Sequence, residues 1–214
     1  MLRFRPLVAA DQDTLWHWLH VALWDPPPAP LRPVEILQSP AVRIYVEGWG
    51  RETDCGVVAV VDGVDAGACW MRVLPPGTGL ASVDAVTPQL GIALEPEFQH
   101  KGHGKPLMRE ALACAARAGH AQVALTVHPE NPARFLYRSC GFEQVDVRHG
   151  YLLMVAQVGR GVEAKRPEAR RTGRTASRNP IRGVGPAETT EPSDGVISST
   201  GLARDWIVPA AHAR

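Results

Sequence analysis

The stretch Gln99-His100-Lys101-Gly102-His103-Gly104-Lys105 holds the residue types of an anion site. A short apolar run ends at Leu94 and an amphipathic run starts at Lys105, so a strand should end, a turn follow and a helix begin. Glycines at 102 and 104 let the backbone turn tightly and approach a ligand with no Cβ in the way. The N–H groups of such a turn, and of the first helical turn after it, have no partners within the helix. Joined by the helix dipole and by Lys101 and Lys105, they suit a pyrophosphate. Pro106 falls early in the helix, where no N–H is needed. The pattern is neither a P-loop nor a dinucleotide fingerprint, because Leu107 occupies the third glycine's place. From these residues alone, a phosphate-binding turn and a plain glycine-containing β–α turn stand level.

A second stretch, Asn131-Pro132-Ala133-Arg134-Phe135-Leu136-Tyr137-Arg138-Ser139-Cys140-Gly141-Phe142, starts 27 residues after Gly104, room for one helix and one strand. The first stretch, Gln99-x-x-Gly102-x-Gly104, resembles the Q/R-x-x-G-x-G/A motif of GNAT-superfamily acyltransferases. The second resembles that family's N-x-A-x-x-L-Y-x-x-x-G-F motif, in the right order. The resemblance covers roughly residues 2–155, the first 50 only in element order. It implies an acyl-CoA N-acyltransferase fold, with acetyl-CoA as acyl donor and an amine as acyl acceptor. A catalytically silent acyl-CoA-binding sensor is the alternative on the same residues. By the resemblance, Gln99, His100, Lys101, Gly102, His103, Gly104 and Lys105 hold the pyrophosphate of the cofactor. Ile92, Ala93 and Leu94 pair their backbone with its pantetheine arm, where neighbouring strands splay, and Asn131 contacts it from the opposite side. Tyr137 sits next to the thioester sulfur as the catalytic acid rather than as a plain core aromatic.

Direct attack on a thioester needs a neutral amine, and a lysine-like amine of pKa about 10.4 is mostly protonated at neutral pH. A general base would help. Many family members carry a glutamate in the strand before the turn, but Gln89, Leu90, Gly91 and Ile92 supply no carboxylate. Glu95, Asp84 and His100 are loose candidates; Glu95 reads as a solvated strand-end residue, His100 and His103 as exposed turn residues. The acceptor is nearly invisible. Trp16, Trp18, Trp24, Trp49 and Trp70 read mostly as core, with some lining an acceptor pocket. Small amines, aminoglycoside-like compounds and protein N-termini all stay open.

The elements that must position these groups follow from periodicity. Residues 2–8 alternate as an edge strand, and a helix carries Leu15, Trp16, Leu19 and Leu23 until the Pro26–Pro28 run. A short helix over about residues 33–39 is closed by Pro40. Strands at 55–62 and 64–73 join through Asp62-Gly63, a strong hairpin signal. After the strand at 90–94 come a helix at 105–118, a strand at 123–127, a helix at 132–139 and strands at 142–147 and 151–155. The order is β-α-α-β-β-β-α-β-α-β-β, an α/β class with a mixed sheet.

Hydrophobic residues make up 45% of the 214 and charged ones 21%, the balance of an ordinary globular chain. One domain is expected over 1–156, followed by an Arg-, Gly-, Pro-, Ser- and Thr-rich tail over 157–214. Residues 160–182 hold eight Arg or Lys and no apolar period, so disorder is the expectation there. No aromatic interleaves with those arginines, which argues for a solvated tail over a nucleic-acid arm. Asp205–Val208 is a brief apolar patch that remains unassigned. The four cysteines form no C-x-x-C pair, so no metal site is expected. Neither a signal peptide nor a transmembrane run is read, which makes a cytoplasmic protein the economical expectation, a homodimer being allowed.

Overall fold

The computed structural model describes residues 1–159. The basic segment and the Asp205–Val208 patch lie outside them, as does nearly all of the tail.

Eleven elements follow the expected order. They are β1 (Leu2–Pro6), α1 (Gln12–Ala22), α2 (Pro40–Arg43), β2 (Cys55–Val61), β3 (Val64–Arg72), β4 (Gln89–Leu94), α3 (Gly104–Arg117), β5 (Gln122–Val127), α4 (Ala133–Ser139), β6 (Glu143–Arg148) and β7 (Tyr151–Gln157). The strands form one sheet in the order β1-β2-β3-β4-β5-β7-β6. Every neighbouring pair is antiparallel except β4–β5. That exception follows from connectivity, since α3 crosses over between these two strands.

Asp62 and Gly63 both take positive φ, 50° and 86°, the geometry of the tight turn their sequence announces. His149 and Gly150 repeat it at 49° and 84° between β6 and β7, a hairpin the sequence reading placed without recognising its turn. One expectation fails. Residues 34–38 form a 3-10 turn, and Pro40 opens α2 at its first position instead of closing a helix.

The two faces of the sheet are covered by different helices. Leu107, Met108, Ala111 and Ala115 of α3 pack with Cys69, Met71, Leu90, Val123 and Leu125. Leu15, Trp18 and Leu19 of α1 pack on the other face with Val58, Ala68, Trp70 and Ala93. Trp18, Trp49 and Trp70 are buried core; Trp16 and Trp24 are half-buried. No helix among the described residues is long and apolar enough to cross a membrane.

The segment between α2 and β2 is tied down by a fully buried ion pair. Arg72 at the end of β3 donates through Nε and Nη2 to Asp54 at 2.8 and 2.7 Å, and to the carbonyls of Ile44, Glu47 and Gly48. Its guanidinium also lies 5.4 Å from the Trp49 ring. Burial pushes the Asp54 carboxyl up, but Arg72 and the N–H groups of Arg51 and Gly50 outweigh it and hold it below its ordinary value.

Candidate active site

The site starts from a break in the sheet. β4 and β5 share a single register pair, Gln89 with Ala124, and the Ala124 N–H donates to the Pro88 carbonyl at 3.0 Å. Beyond that pair the strands part. β4 stays fully paired with β3, from Gln89–Arg72 to Leu94–Gly67. The Glu95 N–H donates to the Ala66 carbonyl at 2.9 Å, which sets the phase of the ladder. Glu95, Ala93 and Gly91 therefore aim their backbone groups at β3, while Leu94 and Ile92 aim theirs into the gap. Of Ile92, Ala93 and Leu94, then, Ala93 has no backbone group to offer a ligand there.

The glycine-containing turn closes the same end of β4. The Gln99 side chain donates to the Leu94 carbonyl at 2.8 Å and its backbone N–H to the Pro96 carbonyl at 3.2 Å, so Gln99 straps the turn to the strand. His100 at φ 57° and Gly102 at φ 85° bend the chain, with His100, Lys101 and Gly102 exposed. α3 begins at Gly104, and no side chain caps it. Its first intrahelical bond runs from the Leu107 N–H to the His103 carbonyl, which leaves the amides of His103, Gly104 and Lys105 pointing outward. Pro106, with no N–H, adds no orphan. A Cβ at Gly104 would sit 3.2 Å from Leu136 of α4, so the helices approach closely at the mouth of the gap. An anion meets backbone donors here, with Lys101 and Lys105 beside them.

Across the gap stand Asn131 and Tyr137. Asn131 Oδ1 accepts the Ala133 N–H at 2.9 Å, fixing the entry into α4. Tyr137 is 9% exposed and packs against Phe142 at 6.0 Å between ring centroids. No group among the described residues hydrogen-bonds its hydroxyl. Burial, with Cys69 adding a little, pushes its pKa well up, so the phenol keeps its proton.

The gap opens on the α1 face into two adjoining hollows that share Tyr137 and Thr126. The first reaches Trp70, Tyr45, Gln89 and Gly91. A Cβ at Gly91 would lie 2.4 Å from the Trp70 indole, so only glycine lets that ring lie flat on β4. Trp70 Nε1 is buried and has no hydrogen-bond partner among the described residues. Gln89 is spent structurally: its Nε2 donates to the Thr78 carbonyl, and its Oε1 accepts from the Tyr45 hydroxyl and the Ala81 N–H. The second hollow is lined by Trp24, Arg32, His128, Asn131 and Tyr151. Sequence reading passed over Arg32, His128 and Tyr151. A lone arginine seven residues after Asp25, bracketing a proline run, was the available signal for the first of them.

None of the loose base candidates reaches these hollows. Glu95 corrects its expectation as a solvated residue. Its carboxylate accepts the Trp18 indole N–H at 3.0 Å and lies 2.9 Å from His17 Nε2, clamping α1 to the end of β4. Asp84 accepts the Val86 and Thr87 N–H groups in its own exposed turn. His100 and His103 stay at the anion turn, where the His103 ring lies 6.5 Å from Phe98. Among the described residues no cluster of His, Cys, Asp or Glu could hold a metal.

Comparison with known proteins gives this arrangement a family context. Residues 52–144 match the model of the acetyltransferase (GNAT) domain. A curated relative, the [ribosomal protein bS18]-alanine N-acetyltransferase of Haemophilus influenzae, is 38% identical over 60 residues, 28% of this chain and 41% of that protein. The chain thus matches less than half of that relative's length. Among solved structures, a PaiA N-acetyltransferase from Thermoplasma acidophilum in complex with coenzyme A superposes with a TM-score of 0.53 at 21% identity. That match covers 73% of this chain and 99% of the other. A phosphinothricin acetyltransferase from Sinorhizobium meliloti in complex with AcCoA gives 0.53 at 20% identity, over 77% and 92%. The aminoglycoside acetyltransferase AAC(6')-Ib with coenzyme A and kanamycin gives 0.51 at 19%, over 73% and 95%. At these identities the structures share the fold.

Proposed function

We propose that the chain, whose residues 52–144 match the acetyltransferase (GNAT) domain, moves an acetyl group from acetyl-CoA to a primary amine by direct attack. One observation carries the reading: the β4–β5 gap and the outward amides of the α3 turn lie at the same end of β4. In this reading the turn from Gln99 to Lys105 holds the pyrophosphate through its amides and lysines. Ile92 and Leu94 hydrogen-bond the pantetheine amides as a missing strand would, with Asn131 on the far side. That coenzyme A or acetyl-CoA accompanies the structural neighbours supports the choice of donor.

Tyr137, at the junction of the two hollows, donates a hydrogen bond to the departing sulfur. Its proton is held more tightly than that of an ordinary thiol, pKa about 8.5. Stabilisation of the developing thiolate by hydrogen bonding is therefore its part, and the proton that finally quenches the sulfur comes from the acylated amine. An outward N–H of β4 supplies the donor for the tetrahedral oxyanion. The four cysteines are free thiols, which supports a reducing, cytoplasmic setting.

A second reading, the silent acyl-CoA sensor, draws on one observation: no Asp or Glu lines either hollow. A thiol-release assay with acetyl-CoA across amines and peptides separates the two. Release that depends on an added amine supports the transferase. Calorimetric binding of acetyl-CoA without release from any acceptor supports the sensor and refutes the transferase.

A further inference from the structure

We infer that the accepting amine also carries a carboxylate, which Arg32 receives in the second hollow; this rests on the acetyltransferase reading. The case begins with charge. Among the residues lining the two hollows, none is acidic, and Arg32 alone carries a permanent charge. A polycationic amine entering this cleft would find no unpaired carboxylate to meet it, since the neighbouring Asp25 is already engaged by Arg32.

Arg32 is built to receive an anion. Its Nε and Nη2 each donate to Asp25 at 2.6 Å, and its side chain is 12% exposed. Asp25 thereby spends both oxygens, on two of the five N–H donors of the fork. The guanidinium is thus locked in orientation, with Nη1 not bonded to Asp25 and the Tyr151 hydroxyl acting as a further partner of the fork. A fork fixed by Asp25 can offer its remaining N–H donors to a carboxylate, beside the Tyr151 hydroxyl, with little loss of side-chain entropy at binding.

The rest of the lining agrees. His128 Nδ1 accepts the Glu130 N–H at 3.2 Å, so the neutral ring carries its proton on Nε2 and offers a donor. The ring is held between Trp24 and Tyr151, at 5.7 and 5.6 Å between centroids. Trp70 lines the first hollow, and its buried N–H has no hydrogen-bond partner among the described residues. With the thioester placed at Tyr137, between the hollows, the amine lies at the junction and its carboxylate on the Arg32 side.

The test compares free L-amino acids with their carboxamides, and with spermidine, in the thiol-release assay. Wild-type kcat/KM should be roughly ten- to a hundredfold higher for the acid than for the amide, the range of a charge-assisted hydrogen bond. Arg32→Gln should collapse the acid-to-amide ratio of kcat/KM to about one, with the acid's loss appearing in KM. Amides or spermidine turned over as well as the acids would overturn the inference, while acetyl transfer itself stood. Absence of release from any amine would refute the transferase. The carboxylate site would then be decided by melting of the coenzyme A-bound protein: stabilisation by amino acids but not amides supports it, and equal effects overturn it.

Discussion

Tyr137→Phe isolates the hydroxyl from everything else its side chain does. The ring is 9% exposed and its contact with Phe142 survives the substitution, so packing changes little. The hydroxyl has no hydrogen-bond partner among the described residues, so its loss strands no buried donor or acceptor. Stability should therefore hold to within about 1 kcal/mol. Catalysis should not. A hydrogen bond to a developing thiolate is worth roughly 1.5–3 kcal/mol, and each 1.36 kcal/mol is a factor of ten, so kcat should fall about ten- to a hundredfold. Affinity for acetyl-CoA, by calorimetry, should move less than about threefold, because the bond forms only as charge develops. Since burial holds the phenol protonated, the wild-type to variant ratio should stay flat between about pH 6 and 9. An unaltered kcat in a variant that melts like wild type would refute the role.

Gly104→Glu tests the anion turn. Its Cβ would meet Leu136 Cδ2 at 3.2 Å, a mild crowding, and its carboxylate would occupy the helix start. A carboxylate there favours the helix itself, so the fold should survive while acetyl-CoA affinity drops by roughly a hundredfold or more. Unchanged affinity would displace the pyrophosphate from this turn. Arg72→Met would leave Asp54 buried and unpaired at a cost of about 3–5 kcal/mol, a fall in melting temperature of roughly 6–20 °C. Because the folded Asp54 carboxyl sits below its unfolded value, its contribution is present above about pH 4 and lost as pH falls through the folded value. The variant should accordingly show a shallower acid limb in urea titrations, and an unchanged limb would refute the assignment.

Local chemistry made much of the fold readable. Asp62-Gly63 encodes its turn through the positive φ both residues tolerate, and α3 announces itself by the 107, 108, 111, 115 face. Pro40 misled because the same ring that ends one helix is well placed to start another. The site was legible only where it is contiguous. The anion turn and α4 each occupy one stretch, whereas Glu95 meets Trp18 across 77 residues and Arg72 meets Asp54 through a loop closure. Such partners are chosen by register and packing, which no local pattern carries. Sequence reading passed over Arg72, for which the available signal was an arginine at the end of the apolar run Ala66–Met71, where an unpaired guanidinium would not be tolerated. The β4–β5 gap lies between these cases. Its position follows from the phase of the β3–β4 ladder, so sequence named three residues and only the structure sorts Ile92 and Leu94 from Ala93.

The missing base has a kinetic consequence. Neither hollow is lined by Asp or Glu, and Tyr45 and Tyr137 are both pushed up by burial, away from the range where a phenolate could act near neutrality. His128 lines the second hollow with Nδ1 already engaged by the Glu130 N–H, which makes its neutral ring a donor on Nε2. The amine must then arrive neutral or shed its proton to water. The rate should follow the amine's own titration: kcat/KM climbs tenfold per pH unit below the pKa of the amine and levels above it. The α-amine of a peptide, pKa about 7.7–8.0, should level more than two units earlier than a lysine side chain at about 10.4. Measured with two such acceptors, inflections that track the amines support deprotonation before attack. A single inflection indifferent to the acceptor would place a titrating protein base in the cleft and refute this reasoning.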